Sequence, residues 1–577
     1  MDIVPDQVDL LSNQIALELK DVLAKFSKAK VRPYQKKCIE EIITALSNNK
    51  DAALLLPTGM GKSFIYLPLA IAAVDKGYRV CVLCATNLLI DQTRNNHMPS
   101  FKVKTPPKEI IGLKHYECKI RGTKADYVYC AEEHTKSPDQ ICTCDLNRGE
   151  FEKHGFIVSN FAKFVSTPFK NKFDLVIIDD SHGFENVVED RFQTHIAYDR
   201  IEELFQRHDQ QKDAVADVAG AFLDVVDNIF SAIPPDETTR NIPEDEVKKM
   251  AEVLNFADFA SQLKDLGELD RNIGTDLLYF IKNCQNLTQH TFYVQKDFYN
   301  PQDVKEATIT SRKSDNYINY VMNLIFGDSR VLLVSAFLGN VEDHASYCTH
   351  RSYQTGDLVV VPTQKPSDIK SWFKNLSIFE VANVVSSTED AFDECVDLTT
   401  RMLQESRVKS LLLFKNYRDQ RRAEIGLKRE VRNREITFID DTYEAERVQA
   451  LVEKADVIMA SASSRLWEGI NIGNLKLEVI FSLPFIRPPV YMDKTRSYPF
   501  VKRKMLIRLQ QGIGRVIRNP KDSGVCVVLD YANKPTSQTK LSTHVTSHDF
   551  SPELRERITQ VTKEKVCKEV ATRLRGE

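Results

Sequence analysis

A chain of 577 residues that is 42% hydrophobic and 28% charged can fill about three or four packed domains, which excludes a disordered polymer. Its formal net charge of −3 excludes a globally basic nucleic-acid binder, so any such surface must be a local patch. No apolar run approaches the ~18–20 residues of a membrane helix, so no membrane partner is expected. The opening segment MDIVPDQVDLLSNQ is acidic and lacks the basic-then-apolar pattern of a signal peptide. The expected location is intracellular: cytoplasmic in a prokaryote, nuclear in a eukaryote. From about residue 30 to 180, short apolar strands alternate with helical stretches: AALLL (52–56), RVCVLCAT (79–86), FIVSN (156–160) and DLVIID (174–179). Near-continuous aliphatic strands between helices predict a parallel sheet covered on both faces. Residues 190–290 change texture to long helices; Val215, Val218, Ala219, Phe222, Val226 and Ile229 share one face. RVLLVSAFLG (330–339) then returns to strand character and completes the first sheet. A second alternation follows in KSLLLF (409–414), REITFID (434–440), ADVIMA (455–460), LEVIFSLPF (477–485) and GVCVVLD (524–530). The fold class is therefore α/β with two parallel-sheet domains.

The segment LLLPTGMGKS (54–63) places a glycine-containing turn and Lys-Ser between a strand and a helix. Thr58, Gly59 and Gly61 belong to a turn whose amides can wrap a β-phosphate. Lys62 can reach the β and γ oxygens of ATP, and Ser63 can ligate Mg²⁺. The strict Gly-x-x-x-x-Gly-Lys pattern fails because Leu56 stands at its first position. Downstream, VIID runs into Asp179, Asp180, Ser181 and His182 at a strand end. Asp179 is placed to hold Mg²⁺, Asp180 to orient the attacking water, and His182 to couple the site to the second domain. The competing reading is that Asp180 and His182 merely cap the following helix, for which Asp180 and Ser181 are equally good N-caps. Far along the chain, Gln511, Arg515 and Arg518 are spaced by four and three, one helical face. Two guanidinium groups presented together suit a γ-phosphate and its developing charge; the plain alternative is a surface helix with ordinary ion pairs.

From 31 to 530 the order of these motifs is similar to the XPD/DinG-type helicases of superfamily two. VRPYQKKCIEEI resembles the helix before their phosphate loop, which implies Gln35 near the adenine. CATNLLIDQ resembles their motif Ia, which implies that Thr86 and Asn87 contact the backbone of a nucleic-acid strand. RLWEGINIGNLKLEVIFSLPF resembles their Trp-Glu-Gly-x-Asp segment and places Glu468 and Gly469 at the nucleotide. QQGIGRVIRNPKDSGVCVVLD resembles their Gln-x-x-Gly-Arg-x-x-Arg segment. Three residues depart from the pattern: Asp180 for Glu, Phe337 for Thr and Asn471 for Asp. The resemblance implies two RecA-like motor domains, with these boundaries. The first motor domain spans 1–105, 151–189 and, with a linker, 291–365; a Cys-rich insertion spans 106–150. An arch-like helical insertion spans 190–290, the second motor domain 366–535 and a tail 536–577.

Four of the twelve cysteines, Cys118, Cys130, Cys142 and Cys144, fall within 27 residues. Four thiolates can hold a 4Fe-4S cluster or zinc. Zinc sites are usually two close pairs, and this spacing has one. The family's placement of its cluster in this insertion favours iron–sulfur, with zinc as the alternative and His115 or His134 as substitute ligands. For the strand itself, Arg94 and the basic runs 426–434 and 501–508 are candidates, each balanced against a solvated face. The expectation is an ATP-dependent single-stranded DNA translocase and helicase. By resemblance it moves 5′ to 3′ on forked or 5′-overhang duplexes, with the two insertions forming a pore around the strand. The rival is a nucleotide-dependent DNA-binding switch or assembly subunit with weak turnover. It rests on the three departures, since removing one methylene at Asp180 moves a carboxylate by ~1.5 Å and ~1 Å can cost about a hundredfold in rate.

Overall fold

The computed structural model describes residues 15–576 except 28–29, 113–152, 167–172, 235–236, 238, 253–258, 260, 264–265, 297–301, 366–370, 383–387, 432, 440–444, 462–471, 487–488, 490–491, 493, 531–540 and 542–549. The chain divides into two compact units. One takes residues up to 184, 326–487 and 498 onward; the other takes 185–325 and 488–497.

In chain order the first strands are β1 (Asp51–Leu55), β2 (Val80–Cys84), β3 (Lys108–Ile110), β4 (Phe156–Asn160) and β5 (Leu175–Asp179). The 185–325 unit carries β6 (Gln193–Ala197), β7 (Thr239–Asn241), β8 (His290–Gln295) and β9 (Thr308–Lys313). Then come β10 (Arg330–Ser335), β11 (Leu358–Val361), β12 (Leu376–Ala382), β13 (Ser410–Phe414), β14 (Ile436–Ile439) and β15 (Val457–Ser461). The last three are β16 (Leu477–Ile480), β17 (Gly524–Val528) and β18 (Ile558–Thr562).

The larger unit holds two seven-stranded parallel sheets, ordered β11-β1-β10-β5-β2-β4-β3 and β14-β15-β13-β16-β17-β12-β18. Their central strands are buried on both faces, as at Val80–Cys84, Ser410–Phe414 and Gly524–Val528, the reason those segments read as unbroken aliphatic runs. Register decides where the chemistry goes. Leu55 pairs with Ser335, and Val334 with Asp179. The carboxyl ends of β1, β10 and β5 therefore lie side by side, the edge where open parallel sheets bind ligands. The helix Ser63–Asp75 that leaves the β1 turn is buried from Ile65 to Ala73, so the turn is anchored on both sides.

The 185–325 unit packs helices such as Ala214–Ser231 and Glu268–Cys284 over an antiparallel sheet ordered β6-β9-β8-β7. Val215, Val218, Ala219, Phe222, Val226 and Ile229 do share a buried face. Phe222, Phe280 and Phe292 meet edge to face at 5.7 Å within that core. The sheet is a feature that the helical period of 190–290 does not disclose. Beyond residue 550, β18 adds a parallel edge strand beside β12, and the helix Lys563–Arg575 follows.

Candidate nucleotide site

The turn after β1 is built as a cradle. Gly59 and Gly61 have φ of +86° and +76°, which side chains with a Cβ rarely adopt. Two side chains brace its outer rim, and a third crosses its base. Tyr34 Oη donates to the Met60 carbonyl at 2.6 Å. Gln35 Nε2 donates to the carbonyls of Met60 and Gly61 at 3.3 and 3.4 Å, while its Oε1 accepts from Arg32 N. Gln35 is thus committed to the loop itself, a role its expected place beside the adenine does not suggest. Lys62 Nζ donates to the Leu56 carbonyl at 3.3 Å, across the base of the turn.

Beside the turn, Asp179 ends β5. Tyr66 Oη donates to its Oδ2 at 2.7 Å, and the Asp180 amide to its Oδ1 at 3.1 Å. Burial, then the adjacent Asp180, push the Asp179 carboxyl up to about 7, against the pull of the Tyr66 hydrogen bond and the Lys62 charge. A carboxylate so placed is under-compensated when ionised, the condition a divalent cation relieves. The donor set, a carboxylate and a hydroxyl beside a lysine, suits a hard oxygen-seeking ion such as Mg²⁺. Asp180 has φ +52° and starts the short turn Ser181–Gly183 without a side-chain capping bond. The helix-cap reading of that carboxylate therefore does not hold. Its left-handed backbone costs on the order of 1–3 kcal/mol and is typical of functional sites.

His182 lies 3.3 Å from Ser335 Oγ and 3.4 Å, through Nδ1, from Gln511 Nε2. Ser335 Oγ also donates to the Phe337 carbonyl at 3.0 Å. Residues from the ends of β5 and β10 thereby meet a residue 329 positions later in the chain. Phe337 lines a cavity of about 340 Å³ with Pro57, Thr58, Gln511, Gly514 and Leu554.

The arginine segment is arranged differently from its spacing. The helix Lys494–Ile513 ends before Arg515, and Gly514 and Arg515 turn back through bonds to the Gln510 and Gly512 carbonyls. Gln511 is on the helix, and Arg515 and Arg518 lie in the turn that follows. Arg515 is nonetheless buried. Burial and the neighbouring Arg515 bring Arg518 down to about 10, with Asp522 opposing. The Asp522 carboxylate accepts from the amides of Arg518 and Asn519 at 2.8 and 2.9 Å, which fixes the turn. A Cβ on Gly59 would sit 1.9 Å from the Arg518 carbonyl oxygen, so the phosphate loop and the arginine turn touch through their main chains. Gly59→Ala should cost at least about 1–2 kcal/mol from the left-handed φ alone. It should also force these two segments apart, which a thermal melt and ATP turnover measured on the same protein will record as a joint loss.

The sequence reading missed Tyr66 and Glu478. Glu478, on β16, is fully buried, and neither carboxylate oxygen has a hydrogen-bond partner among the described residues. Burial raises its carboxyl well above the usual range, with Arg515 pulling the other way. An acid within the run LEVIF was the available signal. Glu468, Gly469 and Asn471, and also Cys118, Cys130, Cys142, Cys144, His115 and His134, lie outside the described residues. No group of three or more His, Cys, Asp or Glu able to hold a metal occurs among those described. The eight other cysteines are free and buried, as expected for Cys81, Cys84 and Cys526.

The strand candidates fare unevenly. Thr86 Oγ1 caps the helix Asn87–Gln92 by accepting from Leu89 N, and Asn87 Oδ1 accepts from Asn160 at 2.6 Å. Arg94 pairs with Glu109 at 2.8 Å. In the basic runs, Arg503 and Lys504 are buried over the Phe500 ring, and Arg434 donates to the carbonyls of Leu403, Val408 and Asp456. These serve packing, so neither the groove nor the solvated-face reading describes them. A feature not anticipated is Arg421, stacked 4.1 Å from the Phe438 ring centre and 5.1 Å from that of the half-exposed Tyr417.

Residues 28–211 match the family model described as the res subunit of type III restriction enzymes, and residues 399–548 match that of a helicase C-terminal domain. A probable ATP-dependent helicase of Methanocaldococcus jannaschii is 22% identical, over 88% of this chain and 92% of its own. The ATP-dependent DNA helicase YoaA of Escherichia coli is 31% identical over 103 residues, 16% of each chain. An apo structure of XPD superposes with a TM-score of 0.59 at 14% identity, covering 92% of this chain and all of the other. The Xpd4 structure of S. tokodaii gives 0.52 at 15%, with the same coverage. With the res-subunit model on the first parallel-sheet domain, the helicase C-terminal model on the second and a helicase relative matched along most of its length, the chain is an ATP-dependent helicase with the fold of XPD.

Proposed function

We propose that the enzyme is a single-stranded DNA translocase that moves 5′ to 3′ and opens forked or 5′-overhang duplexes. The observation that carries the motor reading is the closure of the phosphate loop against the arginine turn, Gly59 on the Arg518 carbonyl, with His182, Ser335 and Gln511 meeting beside it. Lys62 and the amides of the Gly59–Gly61 turn bind the ATP phosphates, and Ser63 and Asp179 would hold Mg²⁺. When bound, that ion screens charge on the β and γ oxygens. Asp180 accepts a hydrogen bond from the attacking water, and Arg515 and Arg518 face the charge that builds on the γ-phosphoryl group. Gln511 and His182 report the state of the site between the two sheets. Gln35, Thr58, Glu468 and Gly469 complete the nucleotide contacts.

For DNA, the Tyr417–Phe438–Arg421 stack supports a sequence-tolerant base platform, since every base has a face to lay on an aromatic ring or guanidinium plane. Thr86 and Asn87 remain the candidates for backbone contacts in the first sheet domain. We read Cys118, Cys130, Cys142 and Cys144 as ligands of a 4Fe-4S cluster, with zinc as the alternative. The support is their clustering within 27 residues, in the insertion where the resembled family carries its cluster. The switch reading draws on Asp180, the short acid at the water position.

The test is steady-state ATP hydrolysis with and without single strands, with strand displacement on duplexes carrying 5′ or 3′ overhangs. Stimulation and displacement from the 5′ overhang are expected. ATP binding without stimulated turnover would transfer the chain to the switch reading. Anaerobically purified protein should be brown and contain iron and sulfide; colourless protein with one zinc per chain would overturn the cluster.

A further inference from the structure

Tyr66 is fully buried three residues into the helix that Ser63 begins. Residues three apart on a helix face the same way, and here that way is toward the end of β5. The phenol donates to Asp179 Oδ2 at 2.7 Å. A phenol keeps its proton at neutral pH, so it acts here as a donor to Asp179. The Asp180 amide fixes the other Asp179 oxygen, so the carboxylate cannot rotate freely.

We propose that Tyr66 is a positioning residue for the divalent cation: its buried hydroxyl holds the Asp179 carboxylate and sets which lone pair that ligand presents. With Tyr66 on one oxygen and the Asp180 amide on the other, Asp179 keeps one rotamer. Partners one layer behind a metal ligand typically contribute about 10- to 100-fold in metal affinity. Dispersion and area favour a phenylalanine equally well in so apolar a helix, so packing alone gives no reason for the hydroxyl.

This inference rests on the reading of Ser63 and Asp179 as cation ligands, and the experiment separates the two. Mn²⁺ binding in the presence of ADP is followed by the electron paramagnetic resonance of the free ion, for wild type, Asp179→Asn, Tyr66→Phe and the double variant. Binding of ADP in EDTA is measured alongside. Wild type should bind Mn²⁺ at least tenfold more tightly than Asp179→Asn; if it does not, the ligand reading itself fails. Given that difference, Tyr66→Phe should weaken Mn²⁺ about tenfold or more, with ADP affinity in EDTA within twofold of wild type. Mn²⁺ affinity within twofold of wild type, or an equal loss of metal-free ADP binding, would overturn the positioning role. If Tyr66→Phe does not fold, the double variant decides. A tyrosine that acts through Asp179 adds nothing to Asp179→Asn, and a further tenfold loss in the double variant sinks the proposal.

Discussion

Lys62→Ala should reduce strand-stimulated ATP hydrolysis by a factor on the order of 10² to 10³, the range for removing one preorganised charge-stabilising donor from a closed site. In the structure the ammonium spans the turn to the Leu56 carbonyl at 3.3 Å and pulls on the Asp179 carboxyl. Removing it therefore leaves two consequences. The phosphate oxygens lose their only side-chain cation on the loop, and Asp179 loses a charge that favours its ionised form. Both weaken ATP binding in the same direction. The loop should keep its shape, because Tyr34 and Gln35 hold Met60 and Gly61 independently of Lys62. Phosphate release with saturating single strands, paired with titration of a fluorescent ATP analogue, checks this. Retention of more than a tenth of wild-type turnover would remove Lys62 from the chemistry.

How much of this was legible beforehand depends on whether a feature is local in sequence. The strands of both parallel sheets are buried on two faces, so their aliphatic runs announce themselves, and β1, β2, β5, β13 and β17 fall where those runs predict. The phosphate loop was readable despite Leu56, because glycines at 59 and 61 with Lys-Ser encode the backbone shape directly. The antiparallel sheet of the 185–325 unit was hidden. β7 is only three residues, Thr239–Asn241, and β8 alternates burial from His290 to Gln295 amid polar side chains. Edge strand β18, Ile558–Thr562, was equally hidden, because its burial depends on β12 being beside it.

The site residues divide along the same line. Spacing put Gln511, Arg515 and Arg518 on one helix face, yet the helix stops at Ile513, where Gly514 and the bond from Arg515 N to the Gly512 carbonyl redirect the chain. The guanidinium groups are brought together by tertiary packing, and no period encodes that. Tyr66 looked like one more apolar position in SFIYLPLA. Its role depends on an acid 113 residues away, a separation no window of sequence reveals. Within the basic runs, Arg503, Lys504 and Arg434 went unread for a converse reason. Charge is visible in sequence, but whether Arg503 or Arg434 faces solvent or lies along a ring or a carbonyl is decided by neighbours from other elements.

The larger effect is expected at Arg515. Arg515→Ala should lower the turnover number by about 10³-fold or more, within the range of arginine fingers, while the affinity for ATP before hydrolysis changes only severalfold. Charge on the γ-phosphoryl oxygens is redistributed as its bond to ADP breaks, and a guanidinium already desolvated at 4% exposure responds without the screening of water. Arg515→Lys should rescue little, since an ammonium cannot reproduce the planar fork. Arg518→Ala should be the milder change, because the Arg518 main chain supplies both the contact to Gly59 and the bond to Asp522, and neither depends on its side chain. Glu478 sharpens the contrast further. With Arg515 gone, the one cation that pulls its carboxyl toward ionisation is lost, so the acid stays neutral and the buried site keeps its packing. Arg515→Ala should accordingly melt close to wild type while failing to turn over. If its melting temperature falls by ten degrees or more in step with its activity, the arginine is a structural member of the second sheet domain and not the group that meets the γ-phosphate.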